Sequence, residues 1–295
     1  MLRMTVVGVL CAVMLVFAGC GAAGEKVATH SEGTFEPVVV MDADDGASSA
    51  GESRGAAEST AEPRGAAEST AEPTQAGLSD EELAAEARAL PAGMELSDDD
   101  IARYGTDALF TSNEIDDALF ERIYGLSYKD YCTVPREDLR YLKVLHRDAD
   151  GRALVGELMV NASVADDVLD IFRELYEAGY PIEKMHLVDD YGADDDASME
   201  DDNTSAFNYR LIAGTDEISN HAYGLAIDIN PFYNPYCIPS QDYVSPTAAY
   251  EYGNRDASFP YKIERGDLCY TLFTEHGFTW GGDWDEIKDY QHFEK

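Results

Sequence analysis

Apolar residues fall into three regimes along this chain. Val6–Phe17 is a nearly unbroken apolar run, the stretch from Gly21 to Gly77 is mostly Ala, Glu, Ser, Thr, Gly and Pro, and from Leu83 onward large apolar residues recur at spacings that predict helices and strands. Ser79-Asp-Glu-Glu82 forms a capping box ahead of a short Ala-rich helix over Leu83–Leu90. Ser97 before Asp98-Asp99-Asp100 reads as a second, solvated helix start rather than a cation site. Leu139–His146 and Arg152–Val160 predict two strands joined through Asp150-Gly151, where Gly supplies a positive φ. Val168, Ile171, Phe172 and Leu175 share one face of a helix over Val164–Glu177, stopped at Gly179 and Pro181. Strands follow at Lys184–Val188, Phe207–Ile212 and Leu225–Ile229, with the acidic stretch Asp189–Ser205 as a solvated segment in preference to a calcium loop. A Pro- and Tyr-rich loop spans 230–261, a helix covers Asp267–His276 with Gly277 as its stop, and Phe278–Trp280 and His292-Phe293 close as strands. The expectation is an α+β domain, a small antiparallel sheet with flanking helices.

The first regime changes the domain count. Val6–Phe17 is short for a helix that crosses a bilayer, which needs about 20 residues, but suits the core of an export signal. It ends at Phe17-Ala18-Gly19-Cys20, which resembles the lipobox of bacterial lipoproteins, with Phe17 where that pattern usually has Leu. That resemblance implies a lipid-anchored, extracytoplasmic protein held to the membrane through Cys20. Next, Arg54–Pro63 repeats identically as Arg64–Pro73, and a segment so poor in large apolar groups cannot offset its ordering entropy by burial. The organisation expected is a signal over 1–20, a disordered tether with a short helix over 21–96, and a catalytic domain over 97–295.

Charge excludes one class of partner. Against 58 Asp and Glu stand 21 Lys and Arg, a net charge of −37, so nothing here could neutralise nucleic-acid phosphates. A monomer is expected. Cys132, Cys237 and Cys269 remain beyond the signal; outside the cell any pair of them could form a disulfide, and sequence does not choose.

Candidate chemistry lies near the C-terminus. His221 sits at the mouth of a strand with Asp228 near its end, and Gly224 allows the bend that turns both toward one point. Trp280-Gly-Gly-Asp-Trp284 then leads to Asp289-Tyr-Gln-His292, bringing a second imidazole and a carboxylate back. Two imidazoles and one carboxylate make a catalytic zinc set, which leaves a fourth tetrahedral position open, unlike closed Cys-rich structural sites.

Ser219-x-His221-x-x-Gly224-x-Ala226-x-Asp228, followed by Gly-Gly-Asp-Trp and Asp289-x-x-His292-Phe293, resembles the D-alanyl-D-alanine carboxypeptidase family of zinc peptidases, including vancomycin-resistance-type carboxypeptidases and L-alanyl-D-glutamate endolysins. The resemblance implies a hedgehog/DD-peptidase-like fold and one Zn2+ held by His221, Asp228 and His292. It implies further that Asp289 is the general base, where carboxypeptidase members more often have Glu, and that Arg210 steadies the developing oxyanion. Ser219 is expected to orient the site or contact substrate. Asp283 competes as base, though Gly-Gly-Asp-Trp reads more simply as a turn, and Tyr223 and Trp284 are candidate pocket aromatics. The activity implied is hydrolysis of peptidoglycan stem peptides, first as a D-alanyl-D-alanine carboxypeptidase. The alternatives are an L-alanyl-D-glutamate endopeptidase or a non-catalytic, zinc-containing cell-wall binding module.

Overall fold

Two capping boxes open the described part of the chain. In the computed structural model, which describes residues 78–295, α1 (Asp80–Ala89) starts where the Ser79 side chain accepts the Glu82 N–H and Glu82 takes the Ser79 N–H in return. After β1 (Glu95–Leu96), Ser97 and Asp100 repeat the arrangement at the head of α2 (Asp98–Tyr104), so the acid run is a helix start as expected. The export signal, Cys20 and the repeats lie outside the described residues.

Beyond α3 (Thr106–Leu109), β2 (Thr111–Asn113) and α4 (Asp117–Ile123), the central unit is an antiparallel hairpin of β3 (Leu139–Arg147) and β4 (Ala153–Asn161). Its register runs from Leu139 opposite Asn161 to Arg147 opposite Ala153, and β1 and β2 flank it in the order β1-β4-β3-β2. Asp148 shapes the turn, its Oδ1 accepting the N–H groups of Asp150 and Arg152 at 3.0 and 2.9 Å. Against the sheet lies α5 (Ala165–Ala178), which buries Val168, Ile171, Phe172 and Leu175 and ends at a left-handed Gly179, as the spacing predicts.

After α6 (Asp195–Glu200) come two small antiparallel sheets. The first orders β5 (Ala226–Asp228) and the later β8 (Thr279–Trp280) on either side of β10 (His292–Glu294); the second places β6 (Tyr236–Ile238) between β7 (Tyr243–Ser245) and β9 (Lys288–Asp289). Between β7 and β8 runs α7 (Leu268–Glu275), capped by Asp267. Phe293 anchors β10: it is fully buried and stacks on Phe273 of α7 at 4.3 Å between ring centroids, with Trp280 on β8 also parallel to it. Burying one such ring is worth roughly 1.5–3 kcal/mol, and it fixes the strand whose first residue is His292.

Three expectations need correction. Ala87 and Leu96 are buried in the main core and Glu95–Leu96 pairs with β4, so packing already holds the segment assigned to the end of the tether, and the packed body begins before residue 97. Lys184–Val188 makes only one bridge, to Asn203, because the Asn203 amide bonds both the N–H and C=O of His186 and takes the place of a neighbouring strand. Phe207–Ile212 is likewise not a strand, since its N–H groups go to separate segments: Phe207 to Met159, Asn208 to His221 and Tyr209 to Ser127. The outcome is still α+β with small antiparallel sheets. Cys132, Cys237 and Cys269 are all unpaired thiols.

Candidate metal centre

Local hydrogen bonds aim each candidate ligand. His221 lies in a 3-10 turn, Asn220–Tyr223, whose N-cap is Ser219; the Ser219 hydroxyl accepts the His221 N–H at 3.3 Å. Gly224 ends the turn with φ of 67° and backs onto the hairpin, where its carbonyl accepts the Asn161 N–H at 2.8 Å. A Cβ at Gly224 would lie 2.6 Å from that same nitrogen, so only Gly allows the approach. Ser219 thus caps the turn that presents His221.

Asp228 and His292 are direct cross-strand partners between β5 and β10. His292 Nδ1 lies 3.0 Å from Asp228 Oδ1, His221 Nε2 lies 3.2 Å from Asp228 Oδ2, and the two ring nitrogens are 3.2 Å apart. Three donors each 2.0–2.1 Å from a tetrahedral zinc sit roughly 3.3 Å from one another, so the spacing fits that ion. The tautomers fit as well. His221 Nδ1 faces the Ala206 carbonyl at 2.6 Å and must donate to it, while His292 Nε2 faces the Glu294 carboxylate at 3.1 Å, which leaves Nε2 of His221 and Nδ1 of His292 as the inward lone pairs. Both rings are buried.

Charge and burial oppose each other at these side chains. Burial works to raise the Asp228 carboxyl, but the His221 and His292 rings overcome it and hold the group well below the usual carboxylate range. Burial works to lower His292, yet its hydrogen bonds to Asp228 and Glu294 push it up to about 10. A metal takes an ionised carboxylate and neutral imidazoles, so its binding competes with protons here.

Asp289 reaches this neighbourhood from the other sheet. It pairs with Tyr236 on β6, and the chain crosses from one small sheet to the next between Asp289 and His292. Burial, reinforced by Asp228, pushes its carboxyl up to about 6, and its Oδ1 is buried with no hydrogen-bond partner. An acceptor poised near neutrality is what general-base work requires. Gly281 makes room for it: a Cβ there would lie 2.6 Å from the Asp289 carbonyl oxygen and 2.8 Å from its Cβ. The rival base is elsewhere, because Asp283 forms an ion pair with Arg265 at 2.5 Å.

Arg210 is not delivered in the same way. Its carbonyl accepts the Ser219 N–H at 3.1 Å, so its backbone adjoins the His221 turn, but its guanidinium is ion-paired with Asp195, which also takes the Asn208 amide at 2.7 Å. Trp284 packs its ring 5.4 Å from that of His292, whereas Tyr223 belongs to a core cluster with Ile115 and Phe207.

Sequence reading missed Glu294 and Asn220, whose side chains meet at 2.7 Å behind His292. The period of two along a strand, which puts residues 292 and 294 on one face, was the available signal. A second acid group, Glu157 with His186 and Asp190, is already neutralised: Arg122 bonds both oxygens of Glu157 and one of Asp190, and Tyr141 adds a further bond to Glu157.

Residues 213–295 match the family model described as D-alanyl-D-alanine carboxypeptidase, the family that the sequence around His221, Asp228 and His292 resembles. No solved structure matches the chain. The matched segment contains all three donors and Asp289, and it begins just after Arg210. It supports a hydrolase, a peptidase acting on cell-wall peptides.

Proposed function

With the D-alanyl-D-alanine carboxypeptidase match over 213–295 as the premise, we propose that the chain is a zinc-dependent peptidase of peptidoglycan stem peptides, with a hedgehog/DD-peptidase-type domain and D-alanyl-D-alanine carboxypeptidase activity. The observation that carries this reading is the convergence of His221 Nε2, an Asp228 oxygen and His292 Nδ1 on one point, with Asp289, whose buried Oδ1 has no hydrogen-bond partner, in the same electrostatic neighbourhood. When bound, zinc would polarise the scissile carbonyl and acidify the attacking water.

Asp289 takes the proton from that water and returns it to the leaving amine, a cycle suited to a carboxyl held near neutrality. His221 and His292 keep fixed tautomers through Ala206 and Glu294, so their donors need no reorganisation. Arg210 steadies the oxyanion after releasing Asp195. Trp284 supplies an aromatic wall beside His292.

The binding-module alternative has no use for a buried carboxylate whose Oδ1 lacks a hydrogen-bond partner, which favours catalysis. Digestion of defined muropeptides by the zinc-loaded protein, with products weighed by mass spectrometry, tests the choice. Loss of a terminal D-Ala is expected; release of L-Ala from D-Glu would move the activity to the endopeptidase class, and no cleavage of any stem peptide would leave the binding module.

The same proposal places the protein outside the cytoplasm, lipid-anchored at Cys20, as a monomer that meets peptidoglycan and no nucleic acid. Cys20→Ser should release it from the membrane fraction; retention with a cleaved signal would reject the anchor.

A further inference from the structure

Glu294 stands directly behind His292, two residues along β10 and on the same face of the strand. Its Oε2 accepts two hydrogen bonds: from His292 Nε2 at 3.1 Å and from the Asn220 side-chain amide at 2.7 Å. Asn220 is the neighbour of His221 and the first residue of the turn that presents it. One carboxylate oxygen thus ties together the two segments that carry the imidazoles. The two rings are oriented differently, since His221 is held by the neutral Ala206 carbonyl and His292 by an anion.

We propose that Glu294, braced by Asn220, is a positioning residue for the metal, fixing His292 in the tautomer that turns Nδ1 toward His221 and Asp228. The inference rests on the zinc reading of the site and concerns a residue that itself touches no metal. A neutral imidazole carries one proton on either nitrogen. With the Nε2 proton committed to Glu294, the lone pair is on Nδ1, the atom that lies 3.0 Å from Asp228 Oδ1. An anionic acceptor on the outer nitrogen also makes the ring a stronger donor on the inner one. Without Glu294 the ring can rotate or exchange tautomers, and part of the population turns a protonated nitrogen inward. Asn220 stops the carboxylate from swinging out to solvent, and through the backbone of its own turn it couples that brace to His221.

The experiment measures zinc dissociation constants by competition with a chelator, on the wild type, Glu294→Ala, Glu294→Gln, Asn220→Ala and the double variant Glu294→Ala with Asn220→Ala. Circular dichroism checks that each is folded. Loss of an outer partner of a metal-bound His costs roughly 10–100-fold in affinity, the drop expected for Glu294→Ala. Glu294→Gln, which keeps an acceptor but loses the charge, should fall between it and wild type. Asn220→Ala should weaken zinc on its own but add almost nothing once Glu294 is Ala, because its effect passes through the acceptor that substitution removes. A merely structural Glu294 would lower stability and leave zinc affinity in place. If wild type binds zinc and both Glu294 variants bind within about twofold of it, the inference is wrong and the zinc reading stands. If wild type binds no zinc, both fall together. Should Glu294→Ala fail to fold, Glu294→Gln and Asn220→Ala carry the same decision.

Discussion

Asp228 and His292 face each other squarely across the β5–β10 ladder, with His292 Nδ1 3.0 Å from Asp228 Oδ1. A cross-strand pair of this kind is set by register, so the distance between the two donors depends on the backbone ladder and not on long side chains finding each other. His221 is added from a turn pinned to the end of the central hairpin. The domain should accordingly bind close to one zinc per chain, and His221→Ala or His292→Ala should each abolish it. Elemental analysis of the purified proteins reads this directly; unchanged metal in both variants would reject the ligand assignment.

Metal binding and chemistry should separate at Asp289. Asp289→Asn keeps the shape, removes the proton acceptor and should retain zinc while hydrolysis falls by roughly 100-fold or more. Arg210→Ala should also retain zinc and cost about 3 kcal/mol of transition-state stabilisation, as loss of an oxyanion donor does elsewhere. Zinc content and muropeptide cleavage measured on the same preparations decide both. Full activity in Asp289→Asn would remove it from the mechanism, and full activity in Arg210→Ala would leave that side chain as the surface partner of Asp195.

Gly281→Ala tests the crowding around the base. The added Cβ meets the Asp289 carbonyl and Cβ and comes within 3.3 Å of the His292 Cβ, so the backbone itself must give way. The expected cost is about 1–3 kcal/mol of stability, as for overpacking generally, together with a fall in turnover. Urea midpoints and turnover within error of wild type would contradict the packing.

Asp202 gives a pH signature of its own. Burial, with Glu183 adding to it, pushes its carboxyl up to about 7; Oδ1 accepts the Phe232 N–H at 2.9 Å while Oδ2 is buried without a partner. An acid raised in the folded state penalises folding as pH climbs from the unfolded value to the folded one. The penalty is absent at low pH and complete above about pH 7, at most about 4 kcal/mol by linkage. Asp202→Asn, which removes the titration, should match wild type near pH 4 and be more stable at pH 8. Denaturation curves at both values check it; a constant difference across the range would disprove the linkage.

The secondary structure was legible wherever a local signal and tertiary packing agreed. Ser79 and Ser97 capped their helices, the stripe through Val168 and Leu175 was buried, and Gly179 stopped its helix in the left-handed conformation. It failed where side chains did a strand's work: the Asn203 amide replaced a neighbour for Lys184–Val188, and no period in the sequence reports such a substitution. Ala87 and Leu96 sat in the core although their surroundings read as polar, since small residues in short elements carry a weak pattern. At the site, the convergence of His221, Asp228 and His292 was legible because their residue types and order carry chemistry. The pairing of Arg210 with Asp195 was not, because that partner, the first residue of α6, is one acid among many. Glu294 was passed over because a carboxylate in so acidic a chain gives no signal until its neighbour is known to be an imidazole.

Asp289 belongs to a ladder shared with β6 and β7, whereas the three donors belong to β5, β10 and the turn before them. Under the proposed function, proton transfer and metal affinity would rest on two separate ladders, joined where the chain passes from Asp289 to His292. Substitutions in the Tyr-rich loop that carries β6 and β7 would then tilt the carboxylate and change turnover while leaving the hold on the metal in place.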